Sequence, residues 1–314
     1  MLRSSASRAS KAYKSLRFAS SSTTGRGDYG TYCSDLVRHR DYEAYLTSYF
    51  YPRELKSTYY ALRAFYVELA SVQEAVSNTM IGKMRMQFWR DALKNIADQN
   101  PPKHPIALAL YDATQKVKLP SYHLKRIIDA RDAELENPTH LTMDSLLAHA
   151  ESTSSTFNYL LLSMLSLSSS ETLSHAGSHL GVSQTIATLL RSLPYHAHKG
   201  KMVIPAELTA KHGVNQEEVF RYGGEAKGID DAVFEFATVA NDHLITAREM
   251  VKADSTSGGK VPDRGRPVFL SAVPTALYLE RLEQVNFDVF HPSLQLKTWK
   301  LPWRVWTGYY SGRF

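Results

Sequence analysis

The sequence predicts an all-α fold, a single bundle whose helices are long enough to wall a cavity. Three observations carry that expectation. From Asp28 to about Glu283, apolar residues recur at helical spacing with polar residues between them. No run alternates apolar and polar residues in the manner of a strand. The breakers fall where helices need ends: Asn100-Pro101-Pro102, Leu119-Pro120, Asn137-Pro138 and the Ser168–Ser170 run. No repeat or shift of composition marks a second unit, and 314 residues suffice for one large core.

Taken in order, residues 1–24 hold Arg3, Arg8, Lys11, Lys14 and Arg17, many serines and no acid. Leu2, Ala6, Ala9, Tyr13, Leu16 and Phe18 are able to share one face of this segment. This is the composition of a mitochondrial transit peptide, with Arg17-Phe18 before Ala19-Ser20 resembling a processing site; the alternative is a disordered N-terminal tail. A main domain is expected over 28–290, with helices at Tyr29–Tyr45, Glu54–Asn78, Ile81–Ala97, Ile106–Lys116, Ser121–Glu136, Met143–Leu165, Glu171–Leu193, Ile229–Val251 and Ser271–Glu283. In Glu54–Asn78 the buried stripe is Leu62, Phe65, Leu69, Val72 and Val76, and the opposite face carries Arg63, Val67, Ala70, Ser71 and Glu74. In Glu171–Leu193 the stripe is Val182, Ile186, Leu189, Leu190 and Leu193, opposite Gln184, Thr188, Arg191 and Ser192. Pro194 is expected to end or kink that helix at Leu193. Asp254–Pro267, with four Gly and Pro residues before its last position, reads as a loop.

The tail 291–314 carries Trp299, Trp303, Trp306, Tyr309 and Tyr310 among Lys297, Lys300, Arg304 and Arg313, with no acid after Asp288. Aromatic-plus-basic composition fits membrane contact through Trp299, Trp303 and Trp306, or a docking surface. The alternative is a tail folded back on its own bundle.

Composition excludes several classes. At 43% hydrophobic and 22% charged, the chain is that of an ordinary globular protein. No run of 18 or more apolar residues provides a membrane-spanning helix. Cys33 stands alone, so no disulfide forms within the chain. The net charge is +6, but five of the basic residues lie in the first 25, leaving +1 for the body and no footprint for nucleic acid. His175 and His179 have the spacing of a metal pair but no third ligand. Arg191, His196, His198, Lys199 and Lys201 form a basic group suited to a phosphate, an acidic partner or simple solvation. No nucleophile elbow or Gly-rich phosphate loop occurs, and no cofactor is expected.

Gly181–Pro205 resembles the second signature of squalene and phytoene synthases, a helix with Gln and "LRD", two further acids, a Gly-Arg/Lys pair and a Leu/Ile-Pro. Gln184, Leu190-Arg191, Gly200-Lys201 and Ile204-Pro205 keep that frame, while Ser192, Tyr195 and His196 stand where acids belong. The first signature is matched by Tyr60, Leu62 and Phe65, with Ala70 and Ser71 replacing two acids and Glu74 keeping one. Met84–Leu93 (MRMQFWRDAL) and Ile127–Leu135 (IIDARDAEL) match two further family segments, so the resemblance spans roughly Tyr29 to Glu283. It implies an isoprenoid-synthase-type bundle around a central cavity. Arg63, Glu74, Trp89, Arg90, Gln184, Arg191, His196 and Lys201 become candidates for a remnant cavity or a partner-binding surface.

Prenyl coupling needs Mg²⁺ to neutralise the departing diphosphate, and Mg²⁺ needs hard oxygen ligands in octahedral geometry. Ser, Ala and Tyr are not anionic ligands, and imidazole is a soft choice for Mg²⁺. Losing one electrostatic stabiliser costs on the order of 10²–10³ in rate; losing most of two clusters predicts an inactive chain. The segments RAFYVELASVQEAVSN, NPPKHPIALAL and VNFDVFHPSLQ resemble a mitochondrial, non-catalytic branch of the family. That resemblance implies a matrix-side protein, peripheral on the inner membrane, acting early in the biogenesis of respiratory complex I with its subunits or intermediates as partners. The competing readings are an active isoprenoid transferase and a binding module that keeps a cavity for an isoprenoid or lipid.

Overall fold

The computed structural model describes residues 28–76, 78–254 and 258–314; the expected transit peptide at 1–24 lies outside them. The helices are α1 Asp28–Arg40, α2 Tyr42–Thr47, α3 Lys56–Ala75, α4 Thr79–Ala97, α5 Pro105–Lys116, α6 Ser121–Glu136, α7 Met143–Ala150, α8 Thr156–Met164, α9 Glu171–Ala197, α10 Ala206–Lys211, α11 Gln216–Tyr222, α12 Ile229–Ala253, α13 Arg266–Phe269, α14 Ala272–Gln284 and α15 Leu301–Ser311. No strand occurs among the described residues. The fold is the all-α bundle of the isoprenoid-synthase type.

Local chemistry sets most of the boundaries. Asp41 breaks the expected Tyr29–Tyr45 helix in two: its Oδ1 accepts the Ala44 N–H at 3.1 Å and caps α2. Asn78, Thr142 and Ser170 cap α4, α7 and α9 in the same way. Pro194 does not end α9, which runs on to Ala197. A proline forfeits one helical bond, but Leu190, Leu193 and Ala197 on either side of it are buried, and the His198 N–H bonds the Pro194 carbonyl at 3.2 Å.

The central layer is α9 against α12, with α8 and α14 packed on α9 from other sides, while α3 packs against α1 and α5. Phe65, Phe236, Phe269, Leu62, Leu69, Ile127 and Leu160 are fully buried at the heart of the core. Each such side chain contributes about 1.5–3 kcal/mol on leaving water. The expected Met143–Leu165 helix is continuous in direction, but Glu151–Ser155 forms a π-helical turn between α7 and α8. Gly181 of α9 is pressed against this turn: a Cβ there would lie 2.4 Å from the Ser155 backbone nitrogen. Only glycine permits that approach.

The C-terminal segment is not a separate tail. Leu301 and Val305 of α15 are buried against Leu270, Val273 and Leu277. One face of the segment therefore belongs to the bundle, and the other carries the tryptophans.

Candidate functional site

A cavity of ≈ 710 Å³ opens between α3, α9, the α6 end, α8, α14 and the segment 294–301. From α3, helical spacing sends Arg63, Val67, Ala70, Ser71 and Glu74 into it. From α9 come Gln184, Thr188, Leu189 and Arg191; from α6, Arg131 and Glu134. The π-helical turn contributes Ser154, whose hydroxyl bonds Tyr66 at 2.9 Å and Thr185 at 2.8 Å. A π turn re-aims side chains relative to an unbroken α-helix, and here it places a hydroxyl at the cavity wall.

The charges on the wall neutralise one another. Arg63 Nε donates to Asp41 at 2.7 Å while its guanidinium lies 5.1 Å above the rings of Tyr66 and Phe157. Arg131 pairs with Glu134 at 2.8 Å, and Arg191 pairs with Glu43 at 2.7 Å. Burial alone would raise the Glu134 carboxyl, but the Arg131 guanidinium overrides it and holds the group at about 2. His149, buried beside this pair, is pushed down to about 4 by desolvation, and Arg131 pushes the same way. Glu74 faces no guanidinium among the described residues; its nearest basic neighbour is His196 at 3.9 Å.

These donors do not suit Mg²⁺. Three of the four wall carboxylates already accept from arginine, and Ala70 and Ser71 offer no charge. Among the described residues, no group of three or more His, Cys, Asp or Glu is arranged to hold a metal ion.

At the end nearest α14 the balance differs. Arg281 Nη1 donates to Thr298 Oγ1 at 2.7 Å and its Nη2 to the Ser293 carbonyl, both neutral acceptors. The Tyr278 hydroxyl is buried without a hydrogen-bond partner, and burial raises its pKa against the opposing pull of Arg191 and Arg281.

Of the residues expected from sequence, Arg63, Glu74, Gln184 and Arg191 line the cavity, and His196 and Lys201 flank it. Lys201 Nζ reaches Gln73 at 3.2 Å. Trp89 and Arg90 do not line it. Trp89 is core, edge-on to Phe65 at 5.2 Å, and Arg90 ties α4 to Asp129 and Asp132 of α6. Ser192 and Tyr195 also miss the cavity: Ser192 bonds the Leu189 carbonyl, and Tyr195 is exposed beside Lys199. Of the expected basic group, Arg191 is drawn into the wall by Glu43, while Lys199 and Lys201 stay close to His196: burial lowers the His196 pKa most, and their charges push it the same way. His179 meets His243 of α12 at 2.8 Å rather than His175. Asp41, Glu43, His149, Tyr278 and Arg281 were not singled out by the sequence. Arg131 and Glu134 lie inside the quoted Ile127–Leu135 segment or just before its end, where an i, i+3 charge pair was legible.

The squalene/phytoene synthase profile matches residues 37–307. The chain belongs to the squalene/phytoene synthase family. Within that family it is similar to proteins named complex I assembly factor 6. The Rattus norvegicus protein is 39% identical over 284 residues, covering 90% of this chain and 83% of the relative. The Homo sapiens protein is 39% identical over 281 residues, covering 89% and 82%. A Drosophila melanogaster homologue is 37% identical over 298 residues, covering 92% and 86%. Among solved structures, a dehydrosqualene synthase superposes with a TM-score of 0.73 at 13% identity, covering 90% of this chain and 97% of that one. A squalene synthase from Alicyclobacillus acidocaldarius gives 0.70 at 16% identity, covering 83% and 95%. At such identities the squalene/phytoene synthase likeness of these structures is one of fold.

Proposed function

We propose that this chain is an assembly factor for mitochondrial respiratory complex I, non-catalytic on a squalene/phytoene synthase fold. The observation that carries the reading is identity of 37–40% with several animal proteins bearing the assembly-factor name, over about nine tenths of the chain. The cavity wall supports it: arginines pair three of its four carboxylates, and a magnesium–diphosphate mechanism needs carboxylates free to bind the metal. Its partners are complex I subunits or assembly intermediates, and its place is the matrix face of the inner membrane, reached through the presequence at 1–24. Among the described residues no helix is long and apolar enough to cross a membrane, in keeping with peripheral attachment.

Deletion of the gene followed by native-gel separation of the respiratory complexes tests this. Complex I is expected to fall while the other complexes persist, with recovery on re-expression of the chain. Unchanged complex I would overturn the reading.

A second reading, compatible with the first, is that the cavity holds an isoprenoid or lipid without transforming it. It is favoured by the apolar wall of Phe157, Leu161, Leu189 and Leu277 ending at Arg281 and the unpartnered Tyr278 hydroxyl.

A further inference from the structure

The outward face of α15 is apolar where a solvated helix is polar. Trp303, Trp306 and Tyr310 recur at i, i+3 and i+7, opposite the buried Leu301 and Val305. Their rings form a ladder, with centroids 5.0 Å apart for Trp303–Trp306 and 4.9 Å for Trp306–Tyr310. Trp299, just before the helix, is 82% exposed, and Trp303, Trp306 and Tyr310 are 64%, 46% and 64% exposed. Scattered exposed apolar residues are ordinary; a contiguous aromatic row marks a surface that meets something.

Charge says what. Residues 28–314 carry no net charge, yet 289–314 hold four basic residues and no Asp or Glu, so the rest of the body is net negative. The segment that bears the tryptophans is thus net positive, on a body that is otherwise net negative. Arg304 is partly spent on Glu280, 3.2 Å away, while Lys297 and Lys300 are exposed. An indole ring sits at headgroup depth with its N–H in water, and lysine beside it meets anionic headgroups.

The same segment borders the cavity. Leu296, Lys297, Thr298 and Leu301 line it, and Leu296 is 69% exposed, so it stands at the opening. Tyr42, another lining residue, lies across from it with the Lys297 ammonium 4.9 Å from its ring centroid.

We propose that the aromatic–basic face formed by Trp299, Trp303, Trp306 and Tyr310 with Lys297 and Lys300 docks on an anionic lipid bilayer and sets the cavity opening against that bilayer. This deepens the peripheral attachment given above and rests on the assembly reading only for which membrane is met. An amphipathic molecule entering or leaving the cavity then passes between Leu296 and Tyr42 without crossing bulk water.

The test uses the full chain and vesicles of phosphatidylcholine with or without cardiolipin. Flotation with the cardiolipin vesicles alone, weakening with salt, is the expected result. Lys297→Gln with Lys300→Gln is expected to lower partitioning about thirtyfold, two interfacial charges' worth. Trp303→Ser with Trp306→Ser is expected to abolish flotation at an unchanged melting temperature, since both rings are exposed. Three of the four tryptophans lie on this face and the fourth, Trp89, is 2% exposed. Lipid brominated in its acyl chains should therefore quench most of the emission and leave the Trp89 fraction. Absence of flotation, or flotation that both double variants retain, overturns the proposal. So does a dimer that the tryptophan variants disrupt without any vesicle binding, which assigns the face to a second copy. None of these outcomes touches the loss of complex I on gene deletion, so the two readings fail separately.

Discussion

His149 shows how a single residue ties the cavity wall to pH. Its ring is buried against Arg131 and 5.2 Å from the His140 ring, and desolvation with the Arg131 charge holds it neutral down to about 4. The unfolded chain takes up this proton near 6.5. Between those values the unfolded state binds more protons than the folded one, so stability rises with pH and is lost on acidification. For His149 alone the loss between pH 7 and pH 5 is about 2 kcal/mol. Glu134 works in a lower window, from its ordinary value down to about 2, and does not interfere. His149→Gln is expected to flatten the decline of melting temperature between pH 7 and pH 5. An equal decline in both proteins places the acid sensitivity in other buried histidines, of which His104, His123 and His179 are also lowered by burial.

At the scale of elements, α15 carries the clearest consequence. Its residues 301 and 305 complete a small cluster with Leu270, Val273 and Leu277, and Leu294 just before it is buried in the main core. Truncation after Pro292 removes these side chains and also the wall formed by Leu296, Lys297 and Thr298. Several buried leucine- and valine-sized groups are lost, each worth about 1.5–3 kcal/mol. The truncated protein is expected to melt far below the full chain, measured by circular dichroism. An unchanged melt would show that α15 adds no stability to the bundle. By contrast the π-helical turn and Gly181 are mutually required: neither the extra residue in the turn nor the missing Cβ makes sense without the other.

For the whole molecule, the question is what a synthase fold does once its cavity charges are internally paired. The scaffold persists, with a TM-score of 0.73 to a dehydrosqualene synthase at 13% identity. Metal-assisted departure of a diphosphate needs carboxylates free to bind Mg²⁺, and the wall offers Glu74 as the one carboxylate not engaged by arginine among its described residues. Purified protein given farnesyl diphosphate and Mg²⁺ is expected to release no diphosphate and form no squalene, while an organic extract of the same preparation yields an amphipathic isoprenoid or lipid. Turnover that Glu74→Ala removes would make the chain an enzyme; a clean extract would make the cavity a structural remnant.

The sequence by itself determined the class of fold and nearly every long helix, because helical periodicity and caps are local and survive in one dimension. Ser121–Glu136 matched residue for residue. Tertiary structure alone decided the pairings that give the cavity its character: Glu43 and Arg191 are 148 positions apart, and Asp41 and Arg63 are 22. It also overruled Pro194, whose lost bond is outweighed by buried neighbours, and it withdrew Trp89 into the core. In α15 both faces are apolar, so periodicity cannot say which one is covered; the neighbours Leu270 and Val273 cover the Leu301–Val305 side and leave the tryptophans facing out. A residue's neighbours in space set its solvation and its charge partner, and those neighbours come from parts of the chain that no local pattern connects.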